Sequence, residues 1–183
     1  MTNRPVLRAV AGAALVFLVV LAGCGGHADQ QSNSTAGKPV GATKGAQAPD
    51  FKLETVGGGS VQLADLRGQA VIVDFWDTWC PPCRRALPHL QELQDQYAGK
   101  LTVVGVAFGR DGQDAVAKFL AERNMTFTCA LMDADFTTAA AYGGVQSIPT
   151  TFLIDPEGVI REIWVGGYEK ADYEAAIRLV LGA

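Results

Sequence analysis

The stretch that decides the fold is AVIVDFWDTWCPPC, residues 70–83. Its first half, residues 70–76, is a nearly continuous apolar run, which is typical of a strand buried on both faces of a sheet. Its second half places Cys80 and Cys83 three positions apart at the start of a helix, so both sulfurs lie on one helical face and can form a disulfide. Free N–H groups and the positive dipole end at a helix start stabilise a thiolate. The segment therefore predicts a reactive dithiol suited to thiol–disulfide exchange.

The beginning of the chain has the pattern of an export signal, which we place at residues 1–23. Two arginines precede an uncharged, mostly apolar stretch over residues 9–22, which is short of the roughly 20 residues that a membrane span needs. Leu21-Ala22-Gly23 before Cys24 resembles the lipobox of bacterial lipoproteins, in which the Cys carries the lipid and becomes the first mature residue. The alternatives are an uncleaved anchor and an ordinary signal peptide with an incidental Cys.

The rest of the chain divides into a tether and one domain. Residues 24–47 are rich in small and polar residues and lack aromatic residues, so we expect a flexible tether. Residues 48–183 show the pattern of one α/β domain. Removing residues 1–23 takes away two arginines and leaves 13 Lys and Arg against 19 Asp and Glu. This balance argues against a nucleic-acid partner, and it makes lipid rather than a basic patch the means of membrane attachment.

Hydrophobic periodicity gives the expected order of elements within that domain. We expect a hairpin over residues 51–63, strands at 70–76, 101–108, 127–132, 150–154 and 159–165, and helices at 81–97, 112–123, 134–142 and 169–181.

This order, with Trp-Cys-x-x-Cys after a buried strand and a distant Ile148-Pro149-Thr150 before another, resembles the thioredoxin superfamily. The string from Asp74 to Pro88 resembles more specifically the TlpA/ResA/CcmG branch of membrane-tethered thiol–disulfide oxidoreductases. The resemblance covers residues 47–183. It implies a thioredoxin-like α/β fold with a central mixed sheet flanked by helices, an N-terminal β-hairpin and an inserted helix–strand segment over roughly residues 109–132.

We assign the catalytic roles to three residues. Cys80 is the nucleophile and Cys83 resolves the mixed disulfide. Asp74 lies on an otherwise apolar strand, where burial would raise its pKa and allow it to exchange a proton with Cys83; the matching position in thioredoxins carries the buried Asp with that role. The alternative is that Asp74 only bonds local backbone. Ala86 stands where the ResA pattern has a Glu, so the role proposed for that Glu does not carry over.

The resemblance also implies a substrate-binding surface. Ile148–Pro149 matches the cis-proline that faces the dithiol, in a loop whose backbone pairs with an extended substrate segment. The expected substrate contacts are Trp79, Pro81, Pro82, Ser147, Ile148 and Pro149. For Trp76 we favour a place in the core.

Other uses of the cysteines fit less well. A structural zinc site needs four ligands, usually in two pairs, and only His89 lies near the dithiol in sequence, so we expect no metal. Cys129 lies in a predicted strand and is expected to be a buried core cysteine. A peroxiredoxin would have Thr or Ser three residues before its reactive cysteine, and this chain has Asp77 at that position. No dissociable cofactor is expected, because the redox-active Cys80–Cys83 pair itself cycles between dithiol and disulfide.

The direction of electron flow is less constrained. If Cys80 is the N-cap, its sulfur accepts from the second or third helical residue. The second is Pro82, which has no N–H, so Cys83 is the main donor, and few donors for the Cys80 thiolate favour a reductant. Arg84 and Arg85 favour the thiolate and therefore an oxidant. We favour a reductase; the alternatives are an oxidant of exported thiols and a tethered binding module without turnover.

The implied partners follow from the resemblance. They are disulfides of exported proteins or apocytochrome c as substrates, and a membrane thiol transporter of the CcdA/DsbD type as electron donor. The expected location is the cell membrane, lipid-anchored through Cys24, on the extracytoplasmic side.

Overall fold

The computed structural model describes residues 40–182. The predicted signal peptide, Cys24 and the first part of the predicted tether lie outside the described residues. The strands are β1 (Lys52–Glu54), β2 (Ser60–Gln62), β3 (Ala70–Trp76), β4 (Leu101–Ala107), β5 (Thr128–Leu131), β6 (Thr150–Ile154) and β7 (Ile160–Val165). The helices are α1 (Pro81–Gln96), α2 (Gln113–Glu122), α3 (Thr137–Ala141) and α4 (Lys170–Leu181), with a 3-10 helix at Leu63–Leu66. Among residues 40–182, no helix combines the length and the apolar composition that a membrane crossing requires.

Five strands form one mixed sheet in the order β5-β4-β3-β6-β7. β3 lies in the middle, parallel to β4 and antiparallel to β6, and all seven of its residues are buried, as its apolar run predicts. β1 and β2 form a separate antiparallel hairpin, and α2 with β5 supplies the inserted helix–strand segment. The predicted fold class is confirmed.

Alternation along β3 divides the core into two layers. Ile72 and Trp76 belong to a cluster that also contains the dithiol and buried residues of α1, α2 and α4. Val73 and Phe75 belong to a second cluster, on the face covered by the hairpin and the end of α3. Asp74 shares its parity with Ile72 and Trp76, so its side chain points into the layer that holds the dithiol.

The helix expected over residues 134–142 is shorter, and α3 begins only at Thr137. The carboxylate of Asp133 accepts hydrogen bonds from the backbone N–H groups of Thr137 and Thr138. Phe136 adopts a left-handed conformation with φ of 54°. The preceding residues therefore form a turn that caps the helix rather than its first turn.

Residues 40–47 pack against the domain, whereas the sequence placed them in the flexible tether. The N–H of Gly45 donates to the carbonyl of Ile160 at 2.8 Å, and the N–H of Ile160 donates to the carbonyl of Ala46 at 2.9 Å. Ala46 is buried. The expected boundary at residue 48 is too late, because these small residues fit against the start of the edge strand β7 and satisfy the free backbone groups of Ile160.

Gly105→Ala is expected to lower the free energy of unfolding by about 1–3 kcal/mol, the range for overpacking a core. A Cβ at Gly105 would lie 2.8 Å from Cε2 of Phe127 and 2.9 Å from Nε1 of Trp76. Urea unfolding of the oxidised protein measures the effect. Gly57→Ala is the matched control, because a Cβ there meets nothing within 4 Å. Equal unfolding midpoints for the two variants would contradict the packing argument.

Candidate active site

The dithiol lies where β3 gives way to α1. Cys80 is the N-cap of α1, with extended backbone angles, and its N–H donates to the carbonyl of Asp77 at 3.2 Å. Cys83 lies one turn into the helix. The two residues form a disulfide across 5.3 Å between their Cα atoms, and both are buried. The predicted pairing is therefore present, and the structure describes the oxidised state.

The Cys80 sulfur has a single backbone donor at the helix start. The N–H of Cys83 lies 3.2 Å from it. Pro81 and Pro82 occupy the first two helical positions and have no N–H to offer. The carbonyl oxygen of Ile148 lies on another side of the same sulfur, at 3.6 Å. This environment provides little stabilisation for a negative charge on Cys80.

The loop before β6 meets the dithiol with a cis peptide bond between Ile148 and Pro149, as the resemblance implies. The loop is held from two directions. The hydroxyl of Thr150 donates to the carbonyl of Ser147 at 2.7 Å, and the N–H of Gly166 donates to the carbonyl of Pro149 at 2.8 Å. An extended segment laid along this loop would pass the Cys80 sulfur.

A groove of about 340 Å³ opens beside the disulfide. The predicted substrate contacts that line it are Trp79, Pro81, Pro82, Ser147 and Ile148. Pro149 is buried and does not line it.

Sequence reasoning missed the opposite wall of the groove, which includes Phe108 and Arg110. Both residues follow β4, the parallel neighbour of β3. Because carboxyl ends of adjacent parallel strands share one edge of the sheet, the loop after residue 107 belongs beside the loop after Trp76. This rule about parallel strands could have predicted the wall from the sequence.

The two tryptophans before the dithiol have different environments. Trp76 is fully buried in the core, as we favoured, and it packs against Phe119. Trp79 is 47% exposed at the groove, and the guanidinium of Arg110 lies 5.1 Å from its ring centroid, within cation–π range. Trp79 therefore presents an apolar surface next to Cys80.

Asp74 is completely buried in the centre of the sheet. Its Oδ1 accepts a hydrogen bond of 2.6 Å from the hydroxyl of Thr151 on β6, while its Oδ2 has no hydrogen-bond partner among the described residues. Burial raises the pKa of Asp74 to about 7, although the Thr151 hydroxyl acts to lower it. A carboxyl group with this pKa can both accept and release a proton near neutral pH.

Cys129 is a buried free cysteine, as expected. It lies opposite Gly105 on the sheet, and burial raises the pKa of its thiol to about 12. A thiol with this pKa is almost never a thiolate near neutral pH, so Cys129 is not poised to react.

Two further positions complete the neighbourhood of α1. Ala86 is buried, so no acid/base group replaces the Glu of the ResA pattern there. Within residues 40–182, no three His, Cys, Asp or Glu side chains lie close enough to hold a metal ion.

Comparison with known proteins agrees with the resemblance found in the sequence. The model of the AhpC/TSA family matches residues 44–163. The chain is 36% identical over 170 residues to the thioredoxin-like protein YneN of Bacillus subtilis (strain 168). The aligned region covers 90% of this chain and 95% of YneN. It is 37% identical over 131 residues to the thiol-disulfide oxidoreductase ResA of Geobacillus kaustophilus. Here the aligned region covers 71% of this chain and 74% of ResA.

A solved structure shows the same fold. The thiol:disulfide interchange protein of the thioredoxin family from Chlorobium tepidum superposes with a TM-score of 0.68 at 30% identity, over 76% of this chain and 99% of that one.

Asp74→Asn is expected to stabilise the oxidised protein at pH 8 but much less at pH 4. An acid whose folded pKa of about 7 exceeds its unfolded value of about 3.9 makes the fold less stable as pH rises between those two values. The increase in the free energy of unfolding that results from removing the charge therefore grows between these two pH values. Above the folded pKa it reaches about 4 kcal/mol. Urea unfolding as a function of pH measures the difference.

Two further variants check the origin of this effect. Thr151→Val removes the hydrogen bond to the charged form, so the upper end of the pH window should move higher. Asp65→Asn is the control, because this carboxylate is exposed and stays in water in both states. A stability difference between Asp74→Asn and the unsubstituted protein that does not vary with pH would contradict the assignment.

Proposed function

The chain belongs to the AhpC/TSA family of thioredoxin-like proteins, and we propose that it works in the reducing direction on disulfides of exported proteins. It is a thiol–disulfide oxidoreductase of the ResA type, and its redox pair is Cys80 and Cys83. We further propose that it acts on the extracytoplasmic side of the membrane, held there by lipid on Cys24.

The observation that supports the reducing direction is the single N–H donor at the Cys80 sulfur. A dithiol protein is a strong oxidant when its reduced form is stabilised, above all by hydrogen bonds to the thiolate. An N-cap side chain accepts from the second or third helical residue, and here the second is Pro82, which has no N–H. The carbonyl of Ile148 faces the sulfur. A poorly stabilised thiolate favours the disulfide form and therefore a more reducing couple.

The arginines after Cys83 act against this preference, but their placement limits their effect. The guanidinium of Arg84 lies 6.0 Å from the centroid of the Phe119 ring. Arg84 and Arg85 are both exposed, so water and salt screen their charge. A hydrogen bond made directly to the sulfur is not screened in this way, and its scarcity should dominate.

The reaction proceeds in two exchanges. The Cys80 thiolate attacks one sulfur of the substrate disulfide, a Cys80–substrate disulfide forms, and the displaced substrate thiolate takes up a proton from water. The Cys83 thiol then transfers its proton to Asp74 and attacks the Cys80 sulfur. The second substrate thiolate leaves and is protonated, so that the substrate has gained two electrons and the protein holds the Cys80–Cys83 disulfide.

Asp74 suits the proton transfer because its pKa is close to neutral. Its unpaired Oδ2 provides an acceptor within the layer that holds Cys83. The same carboxyl can return the proton to Cys83 when the disulfide is reduced again.

The partners follow from this direction of flow. Each turnover leaves the dithiol oxidised, so a second thiol protein must supply two electrons, and a membrane thiol transporter of the CcdA/DsbD type fits a lipid-anchored protein. Apocytochrome c and other exported proteins with unwanted disulfides are the proposed substrates. No dissociable cofactor is needed, because the two thiols carry both electrons.

The reduction potential of the Cys80–Cys83 couple is expected to lie near thioredoxin's value of about −270 mV. Equilibration with a thiol buffer of known potential measures it, and the full-length chain should reduce insulin disulfides. Cys80→Ser should abolish that reduction, because no thiolate remains to attack. Cys129→Ser is the matched control and should keep the activity, since that thiol is buried and protonated.

Two outcomes would contradict the proposal. A potential near DsbA's value of about −120 mV would indicate an oxidant. A chain that binds reduced or oxidised peptides but never exchanges disulfides with them would be a binding module.

Cys24→Ala is expected to release the protein from the membrane, because the acyl chains attached there would be its only anchor. Fractionation of cells that produce the full-length chain, followed by mass spectrometry of the mature N-terminus, tests this. Firm membrane attachment of the variant would instead support an uncleaved N-terminal anchor.

A further inference from the structure

The charge of the groove is opposite in sign to the charge of the domain around it. Residues 1–39 contain three basic residues and one acidic residue, which leaves 12 Lys and Arg against 18 Asp and Glu from residue 40 onward. Among residues 40–182, Arg110 is the only charged residue that lines the groove. Exposed Arg84 and Arg85 follow the dithiol on α1.

Arg110 is positioned by a well-anchored loop. Its backbone N–H donates to Oδ2 of the buried Asp77 at 3.3 Å. The neighbouring Asp111 accepts a hydrogen bond of 2.8 Å from the hydroxyl of Thr78. These contacts tie the loop after β4 to the loop that leads into the dithiol, and they hold the guanidinium of Arg110 above Trp79.

The guanidinium of Arg110 has no carboxylate partner within the described part of the chain. The ion pairs found there involve other cations, and the nearest acid in sequence, Asp111, is bonded to Thr78. An arginine in this state retains its N–H donors for a ligand and binds a carboxylate in a bidentate fashion.

The other lining residues make the groove suitable for a peptide. Phe108, Val145 and Ile148 contribute apolar side chains, and Trp79 offers an exposed ring. Among the described residues, the groove is thus mostly apolar, with Gln146 and Ser147 as polar lining residues and Arg110 as its cation. This combination favours a largely apolar segment with a nearby negative charge.

We propose that the groove selects substrate disulfides in which Asp or Glu lies within a few residues of the attacked cysteine. The substrate carboxylate pairs with Arg110 while the adjacent residues pack on Trp79 and Phe108. The negative charge of the domain repels an acidic segment elsewhere, which directs it to this groove. This inference rests on the proposed function, since it names the class of disulfide that the reductant prefers.

The alternative is that Arg110 only makes the Cys80 thiolate more available for attack. In that case its removal would slow attack on every disulfide by the same factor, whatever the charge of the substrate. The two readings therefore differ in selectivity and not only in rate.

The test uses the reduced full-length chain and two synthetic peptides with one intramolecular disulfide each. The peptides are identical, except that two residues flanking one cysteine are Glu in the first and Gln in the second. Stopped-flow measurement of tryptophan fluorescence follows the exchange. We expect the Glu peptide to react about fivefold faster at low ionic strength, the upper range for an exposed ion pair, and the preference to fall as salt is added.

Two variants assign the preference to its residue. Arg110→Gln should slow the Glu peptide about fivefold more than the Gln peptide. Arg123→Gln is the matched control, because this guanidinium also lies on an aromatic ring, 3.9 Å from the centroid of Phe119, but does not line the groove. It should leave the preference intact.

The outcomes separate the two proposals. Equal rates for the two peptides with the unsubstituted chain would overturn the acidic preference and leave reduction standing. An equal slowing of both peptides in Arg110→Gln would assign Arg110 to tuning Cys80 and overturn selection by charge. Failure to reduce either peptide would overturn the proposed function and the preference together.

Discussion

Burial of β3 on both faces is the constraint on which the rest of the structure depends. All seven residues of this strand are buried, and it pairs along most of its length with β4 on one side and β6 on the other. Its carboxyl end then fixes where α1 starts, with Cys80 as the N-cap, and its pairing with β6 brings the Ile148–Pro149 loop to the same edge. Because β3 is shielded from solvent, the one carboxyl group within it, that of Asp74, is desolvated. The position of the dithiol and the desolvation of Asp74 thus both result from the burial of β3.

The contrast between Asp74 and Asp77 shows how local hydrogen bonding assigns different roles to two buried acids. Oδ1 of Asp77 accepts from the N–H of Thr78 at 2.7 Å, and its Oδ2 accepts from the N–H of Arg110. Each oxygen has a backbone donor, so this carboxyl group joins the two loops. Among the described residues, Asp74 has one hydroxyl donor, from Thr151, and one oxygen without a partner. The hydrogen bonds of Asp77 hold two loops together, whereas the second oxygen of Asp74 is available to accept a proton.

The features that could be predicted from the sequence are those set by local pattern. The apolar run of β3 and the spacing of Cys80 and Cys83 predict a buried strand and a disulfide from chain-local rules alone. The cis bond before Pro149 came only from the resemblance, because X–Pro bonds are cis in about 5–6% of cases. The groove wall at Arg110 depends on which loops the sheet brings together, and the docking of residues 40–47 depends on a free edge at β7. Neither leaves a periodic signal.

Reactivity and recognition are controlled by different physics around the same sulfur. The stability of the Cys80 thiolate depends on contacts within hydrogen-bond range, where the prolines remove donors and the carbonyl of Ile148 faces the sulfur at 3.6 Å. The charge of Arg110 acts over a longer range and is screened by salt; its guanidinium lies over Trp79, on the wall along which a substrate would lie. A cation in that place changes how often and in which orientation a substrate reaches Cys80, more than the equilibrium between dithiol and disulfide. If the couple is reducing and Arg110 selects substrates, as proposed, the direction of electron flow is set mainly by the start of α1 and the choice of substrate mainly by the loop after β4. Because separate segments would then carry the two properties, substitutions in the loop after β4 would alter which disulfides are attacked without changing the direction of electron flow.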